Sequence, residues 1–469
     1  MHVSILATAA FLTATIETKD WNLEAVDRVM AERRKLTRTP SVAYAVVRNG
    51  KVIHVRAIGD ANLETISPAK RETLYEIGSM TKQFTAAGIL KLVDEGKVNL
   101  DDPISKYLRD LPEGWKKLTI RQCLSHTAGL KDHLVSFSAL RTEPVRASDI
   151  YAKLGPLKLD FEPGTAWSYS NTGYVVATEI IESVSGETYG KFLKTKVFDP
   201  LGMKHTTVSD PDRMIPNRVR GYQLTANGYR NAPVINPTLA SGAGNLLSTV
   251  DDLARWEAAL ETGKILKPET MKAFLEPVNL TSGRSSGYSL GWFIKQDQGR
   301  PLIEHGGNTV GFSTDIFRIP EENAAVIVLT NAGGLAGAAW ARHAVSALLP
   351  KYDPDRNVQT DPNPDLTARL SVTFRKWGRG NYDMSNFAPE FINLLGTARG
   401  IGVRQGLVGI GRSVKRVRCL QGESAGGKTV NRYRLEFDGA AVLIEMGFDA
   451  DGRVADFSQL YDYPTPVSR

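Results

Sequence analysis

The sequence contains little cysteine, no block of charge of one sign and no apolar stretch long enough to cross a membrane. Cys123 and Cys419 are the only two cysteines. Because they lack C-x-x-C spacing, they exclude a disulfide framework and a cysteine-based zinc site. The 58 basic and 51 acidic residues leave a net charge of +7, and the short basic cluster at 415–418 fits the solvated face of a strand or turn better than a nucleic-acid contact. We therefore expect no nucleic-acid partner, membrane span, metal ion or cofactor.

The N-terminus is open to two interpretations. Residues 3–16 (VSILATAAFLTATI) are mostly apolar, near the length of a signal-peptide core and too short to span a bilayer. No Lys or Arg precedes them and no clean A-x-A cleavage site follows. Residues 1–20 are thus either a leader or a flexible N-terminus. The compartment stays open between a periplasmic or secreted location and the cytoplasm.

The next part of the chain, residues 21–350, predicts one α+β domain. Apolar residues recur at helical spacing over 21–36, and strands at 41–47 and 51–57 flank an Asn-Gly turn, a strong hairpin signal. The stretch 79–263 is mainly helical. The later predicted elements are strands at 289–294, 301–304, 313–318 and 324–329 and a closing helix at 336–349. The early and late strands would form one sheet, with the helical block inserted between them.

The C-terminal part predicts a second, smaller domain. Four prolines at 350, 354, 362 and 364 indicate a linker over 351–364, because proline removes backbone donors and stiffens the chain. A helix at 365–377 and strands at 432–437, 442–448 and 454–460 follow. We interpret 365–469 as a non-catalytic α+β accessory domain that resembles the NTF2-like fold. Dimerisation, shaping of the cleft mouth and binding of partner groups are the roles open to it, so a homo-oligomer is one of the alternatives.

Ser79 and Lys82 stand one helical turn apart at the predicted start of a helix, on the same face. A serine hydroxyl needs a neighbouring base to become a nucleophile. A lysine acts as that base only where burial or positive potential destabilises its ammonium, and a helix N-terminus supplies such potential. S-x-x-K alone is a weak signal, since an N-cap serine and a surface lysine share the same spacing.

Two further motifs follow Ser79 and Lys82 along the chain, and the order of the three motifs is informative. Tyr169-Ser-Asn171 comes after a Pro-Gly turn, and His305-Gly306-Gly307-Asn308 comes just after a predicted strand. S-x-x-K, Y-x-N and a His-Gly-Gly motif in this order resemble the serine β-lactamase and penicillin-binding-protein superfamily. The segments at 124–130 (LSHTAGL), 240–244 (ASGAG), 248–253 (STVDDL) and 306–312 (GGNTVGF) resemble the branch of class C β-lactamases, DD-peptidases, D-amino-acid peptidases and related esterases.

The resemblance covers about 22–349 and implies the fold of that superfamily, an antiparallel sheet flanked by helices with an all-helical insertion. It also implies a role for each matching residue. Ser79 would be the nucleophile and Lys82 its base. Tyr169 would shuttle the proton as phenol or phenolate, and Asn171 would hold Lys82 and the substrate. His305 stands where lactamases carry the lysine of K-T-G, and the backbone N–H groups of Ser79 and Asn308, with Gly307 beside them, would bind the oxyanion and substrate.

His305 stands in place of the lysine that lactamases carry, and this difference narrows the range of expected substrates. A histidine that titrates near neutrality is a weaker partner for a β-lactam carboxylate than a permanent cation. The favoured function is therefore a carboxylesterase or a D-amino-acid or DD-type peptidase acting on small esters or amides. A β-lactamase, or an inactive penicillin-binding-like sensor, is the alternative.

Other motif matches receive structural interpretations. Ser289 lies in a G-x-S-x-G sequence, but coil precedes it and a strand-like run follows, whereas a nucleophile elbow needs a strand before and a helix after. His126 is expected to be a packing residue near the active-site helices. The glycine-rich run 400–411 fails the G-x-G-x-x-G spacing, so no nucleotide site is expected there.

Overall fold

A computed structural model describes residues 21–137, 142–225, 228–297, 300–333, 337–353, 358–378, 383–396, 414–425, 428–437 and 440–464. The predictions for residues 1–20 and for the run 400–411 fall outside these ranges. Within them, no helix combines the length and the apolar character that crossing a bilayer requires.

The helices of the described part of the chain are α1 (Leu23–Leu36), α2 (Thr81–Asp94), α3 (Ile120–Leu124), α4 (His133–Ser136), α5 (Ala147–Leu154), α6 (Thr172–Ser185), α7 (Tyr189–Leu193), α8 (Val250–Glu261), α9 (Pro268–Leu275), α10 (Gly337–Leu348), α11 (Pro364–Gly378) and α12 (Pro389–Gly396). A short 3₁₀ turn, Gly78–Met80, leads directly into α2.

The strands are β1 (Ser41–Arg48), β2 (Lys51–Asn62), β3 (Ser67–Pro68), β4 (Tyr75–Glu76), β5 (Thr207–Val208), β6 (Tyr222–Thr225), β7 (Gly228–Asn231), β8 (Leu246–Ser248), β9 (Phe293–Asp297), β10 (Arg300–Thr309), β11 (Phe312–Ile319), β12 (Ala324–Thr330), β13 (Ala332–Gly333), β14 (Arg416–Ala425), β15 (Lys428–Phe437), β16 (Ala440–Phe448) and β17 (Val454–Pro464).

The main sheet is antiparallel and has seven strands in the order β3-β2-β1-β12-β11-β10-β9. Successive residues of β1 point into two different cores: Ala43 and Ala45 into the larger one, Val42 and Tyr44 into the one formed with α1 and α10. Because both faces are covered, β1 reads as a continuous apolar run rather than an alternating one. The predicted union of early and late strands in one sheet is confirmed.

Helix α2 runs through the larger core. Every side chain from Thr81 to Leu90 is buried, as expected for a helix made of small and apolar residues on all sides. Lys82 differs from its neighbours because its side chain carries an ionisable amine, yet the helix has no solvated face at that point. The helix ends before Gly96, whose φ of +71° provides a left-handed cap.

The C-terminal part has its own sheet, in the order β14-β15-β16-β17, and its own core. Leu370 and Phe374 of α11 pack with Tyr433 and Ile444 of the sheet. This core is separate from the two cores of the first part. The predicted helix and three strands are present. Strand β14, which contains all but the first residue of the basic cluster at 415–418, was missed. The linker boundaries and the division into two domains stay predictions.

Two strand predictions were wrong in their bounds. The strand predicted at 289–294 begins only at Phe293, because Gly291 (φ +95°) turns the chain and the Ser289 amide bonds back to the Trp292 carbonyl. The strand predicted at 301–304 extends to Thr309. The His-Gly-Gly-Asn motif therefore lies inside β10, not after it.

Candidate active site

Ser79 is held by a tight turn at the start of α2. Gly78 has φ +51°, a conformation that costs glycine little and other residues about 1–2 kcal/mol. The amide of the preceding residue, Ile77, donates to the Leu246 carbonyl at 3.1 Å, which ties the turn to β8. Ser79 remains partly exposed among buried neighbours, so its hydroxyl is accessible.

Lys82 lies one turn further along, with no exposed surface. Its Nζ donates to Ser79 Oγ at 3.2 Å, to Asn171 Oδ1 at 2.8 Å and to the Ala243 carbonyl at 2.8 Å. Three acceptors match the three N–H donors of an ammonium. Burial lowers the pKa of Lys82 to about 7, against the opposing charge of Asp132. Near neutral pH much of this lysine is therefore a free amine that can accept a proton.

Tyr169 lies over the same amine. Lys82 Nζ is 4.7 Å from the centroid of its ring. Burial raises the pKa of the Tyr169 phenol, while a hydrogen bond with Ser79 acts in the opposite direction. Of the two forms left open by the sequence, the structure favours the phenol, a proton donor at neutral pH.

Asn171 is the residue just before α6 and links Lys82 to a carboxylate. Its Oδ1 accepts from Lys82, and its Nδ2 donates to Asp132 Oδ2 at 3.0 Å. Asp132 also caps α4 by accepting from the Leu134 amide. Sequence reasoning missed Asp132. It comes two residues after the end of the LSHTAGL segment, and that proximity was the available signal.

His305 is buried on β10 and its protonation is determined by its neighbours. Nδ1 must donate to the Gly306 carbonyl at 2.7 Å, since a carbonyl can only accept, so Nε2 is left to accept from the Tyr288 hydroxyl at 2.9 Å. Burial and the nearby Lys82 lower the pKa of His305 to about 3. The expectation that His305 titrates near neutrality is wrong: the imidazole is neutral. Tyr288 was also missed, although it stands beside Ser289 in the G-x-S-x-G segment.

Strand β10 runs close against the turn that carries Ser79. A Cβ atom on Gly307 would lie 1.9 Å from the Ile77 carbonyl oxygen, and one on Gly78 would lie 2.8 Å from the Asn308 nitrogen. Both positions therefore require glycine. The approach brings the Asn308 amide beside the turn that carries Ser79, as an oxyanion site between these two residues would need.

The residues for which the sequence predicts a structural role have well-defined contacts. Ser289 is fully buried and its Oγ donates to the Phe274 carbonyl at 2.9 Å, so the structural interpretation holds. His126 packs under Tyr169 with ring centroids 4.2 Å apart, and its Nδ1 accepts from the Ser170 amide at 3.1 Å. In the described ranges no cluster of three or more His, Cys, Asp or Glu side chains is suited to hold a metal ion.

Comparisons with known proteins identify the family to which the chain belongs. A family model described as Beta-lactamase matches residues 26–349. Penicillin-binding protein 4* of Bacillus subtilis (strain 168) is 30% identical over 338 residues, which cover 67% of this chain and 72% of that protein. D-aminopeptidase of Gluconobacter oxydans (strain 621H) is 28% identical over 329 residues, covering 68% of this chain and 61% of the relative.

A solved structure shows the same fold. D-amino acid amidase from Ochrobactrum anthropi SV3, in complex with L-phenylalanine, superposes with a TM-score of 0.62 at 25% identity, over 71% of this chain and 99% of that chain. The expected antiparallel sheet flanked by helices is thereby confirmed. The chain belongs to the beta-lactamase family and is a serine hydrolase.

Proposed function

We propose that the chain forms an acyl-enzyme at Ser79 and hydrolyses small amides or peptides whose acyl part carries a free amino group. The observation that carries the proposal is Lys82, a fully buried amine with a pKa lowered to about 7 that lies 3.2 Å from the Ser79 hydroxyl. A buried lysine of this kind is a base that works at neutral pH.

The reaction begins when Lys82 takes the proton of Ser79 and Oγ attacks the scissile carbonyl. The backbone N–H groups of Ser79 and Asn308 stabilise the oxyanion, a contribution typically worth about a hundred- to a thousandfold in rate per donor. The Tyr169 phenol then protonates the leaving amine and recovers its proton from Lys82. Water attacks the acyl-enzyme along the reverse path, since the same groups can pass protons in both directions.

The charges in the site support a substrate with an amine rather than a carboxylate near the scissile bond. His305 is neutral and its Nε2 lone pair is already engaged by Tyr288, so it offers no cation to a carboxylate. Asp132 presents a carboxylate beside Asn171. An ammonium group next to the scissile carbonyl would be attracted to Asp132. β-Lactams and DD-peptides, which carry a carboxylate, fit this site less well.

The names of the relatives support the same class. The name of a D-aminopeptidase points to a residue at the amino end of the substrate, and that of a D-amino acid amidase to the amide of a D-amino acid, from which an amine or ammonia leaves. We extend this chemistry to the present chain, including the D configuration, which rests on those names alone. Small activated esters should also be cleaved, because their leaving groups need little help from Tyr169.

The test compares D-alanine amide, its L enantiomer and its N-acetyl derivative, with release of ammonia as the readout. We expect the free-amine D substrate to be hydrolysed at least about tenfold faster than the N-acetyl form, and Asp132→Asn to reduce that preference. Ser79→Ala should abolish turnover and fluorophosphonate labelling. Ser289→Ala, a buried serine in a motif-like sequence, is the matched control and should retain both. A preference for the N-acetyl substrate, or labelling at Ser289, would overturn the proposal.

A further inference from the structure

Strand β10 carries two consecutive glycines, Gly306 and Gly307, directly before Asn308. The backbone N–H of Asn308 is the second oxyanion donor of the proposed reaction. Glycine has no Cβ, so its backbone has access to many conformations and loses the most entropy when it is fixed. An oxyanion donor must nevertheless point in one direction before the substrate arrives. Neighbouring side chains therefore have to hold this segment in place.

The carbonyl of each glycine accepts a hydrogen bond from a buried side chain. His305 Nδ1 donates to the Gly306 carbonyl at 2.7 Å, and Thr314 Oγ1 donates to the Gly307 carbonyl at 3.2 Å. The Gly307 carbonyl and the Asn308 N–H belong to one planar peptide group. A bond that fixes the direction of this carbonyl also fixes the direction of the N–H. Thr314 thus orients the oxyanion donor from the other end of its peptide group.

The same hydroxyl reaches the turn that carries Ser79. Thr314 Oγ1 also donates to the Ile77 carbonyl at 3.0 Å, across 237 residues of chain. The Met80 amide donates to this carbonyl at 3.2 Å, so the Ile77 carbonyl closes the turn around Ser79. A hydroxyl has one proton, which Thr314 shares between the two carbonyls. Thr314 therefore joins the turn that holds one oxyanion donor to the strand that holds the other.

The register of β10 and β11 places this hydroxyl. Thr314 is the direct partner of Gly307 in the ladder, and its side chain is buried, with 1% exposed. A Cβ on Gly307 would lie only 2.6 Å from Thr314 Oγ1, so the hydroxyl occupies space that the glycine leaves free. Because the hydroxyl is shielded from solvent, water does not compete for its proton.

We propose that Thr314 is a positioning residue that sets the spacing and the relative direction of the two oxyanion donors, the backbone N–H groups of Ser79 and Asn308. The inference rests on the proposed function, because it takes the oxyanion site between these two residues as its starting point. It adds a residue of β11, outside the three motifs of the site, on which the rate of acylation depends.

The first test is the second-order rate constant of fluorophosphonate labelling at Ser79 in the full-length protein. Thr314→Val replaces the hydroxyl by a methyl group, and Thr314→Ser keeps it. Loss of a whole oxyanion donor typically costs about a hundred- to a thousandfold, so a donor that is present but no longer held should cost about tenfold in Thr314→Val. Thr314→Ser should stay within about threefold of the wild type. The reduction should be equal at all pH values, because the contacts of the Lys82 amine do not include Thr314.

A second measurement reports on the oxyanion donors themselves. In p-nitrophenyl thionobenzoate, sulfur replaces the carbonyl oxygen of p-nitrophenyl benzoate, and sulfur is a larger and weaker hydrogen-bond acceptor. Well-placed donors therefore favour the oxygen ester. We expect Thr314→Val to reduce the ratio of kcat/KM for the oxygen ester to that for the thiono ester by about tenfold. A general loosening of the site would lower both values alike and leave the ratio unchanged.

Thr178→Val is the matched control. Thr178 is also buried and donates to a backbone carbonyl, that of Tyr174 at 3.1 Å, but it lies in α6. The control should keep the wild-type labelling rate and the wild-type ratio. Thermal unfolding checks that each variant folds. If Thr314→Val does not fold, Thr314→Cys takes its place with the same expectation, because a thiol is a weak donor of nearly the same size.

Failure of this inference is distinguishable from failure of the proposed function. The inference alone is overturned if Thr314→Val is labelled at the wild-type rate, if Thr314→Ser is as slow as Thr314→Val, or if Thr178→Val slows labelling equally. It is also overturned if labelling slows while the ratio of the two esters stays unchanged. If the wild type is not labelled at Ser79, the proposed function fails and this inference fails with it.

Discussion

The pH dependence of Ser79 acylation depends on Lys82, because the base must be neutral to accept a proton. Burial shifts the pKa of Lys82 from 10.5 to about 7, which increases the free-amine fraction at neutral pH by roughly a thousandfold. The active form is present above the shifted value and is lost as the pH falls through it. We therefore expect the second-order rate constant of fluorophosphonate labelling to be flat above about pH 8 and to fall about fiftyfold between pH 7 and pH 5.

Substitutions test whether the fall in labelling rate at low pH, the acidic limb of the pH–rate profile, belongs to Lys82. The charge of Asp132 raises the pKa of Lys82, so Asp132→Asn should move the acidic limb to lower pH. Lys82→Arg should reduce the rate by about a thousandfold, because arginine does not give up its proton at these pH values. Lys91→Arg is the matched control on the same helix, since that ammonium donates to the Ile265 carbonyl away from the site. The reasoning would be refuted if the labelling rate fell near pH 10.5 or stayed constant down to pH 5. It would also be refuted if Asp132→Asn left the acidic limb at the same pH.

Three further predictions concern the surroundings of the site. His126→Phe keeps an aromatic ring under Tyr169 but removes the acceptor of the Ser170 amide. We expect it to slow amide turnover about tenfold more than p-nitrophenyl acetate turnover, the same difference between the two substrates as for Tyr169→Phe. Equal slowing of both substrates would contradict a role through Tyr169. Gly78→Ala adds a Cβ 2.8 Å from the Asn308 nitrogen and should reduce labelling of Ser79 about a hundredfold. Gly96→Ala, with positive φ but no atom within 4 Å, should cost about 1 kcal/mol in the free energy of unfolding and leave labelling intact; comparable labelling of both variants would refute the close-approach argument. Removal of 351–469, whose core is separate, should leave Ser79 reactive, and a folded truncate without labelling would contradict this.

Much of the architecture could be read from local patterns. The Asn49-Gly50 hairpin formed as predicted because both residues adopt positive φ, which the tight turn requires. Helix α1 follows its apolar spacing. The bounds of β9 and β10 could not be predicted, because they depend on the turn at Gly291 and on pairing with β11, which are contacts between distant parts of the chain.

The sequence by itself determined which residues are available for chemistry and in what order. Ser79 and Lys82 had to share a face because the helical repeat places residues i and i+3 together. The Tyr169 and His305 motifs were recognisable by resemblance to a known family. Their convergence, and the separation of Ser289 from them, follow from sheet and helix packing.

Only the tertiary structure decided the protonation states of Lys82 and His305. No local pattern distinguishes a buried lysine with a pKa near 7 from a solvated one, because the shift comes from loss of water around the amine. The same holds for His305, which is neutral because burial and the nearby Lys82 disfavour its cation. The contact of Asp132 with Asn171 likewise exists only in the folded chain, since it joins segments 39 residues apart.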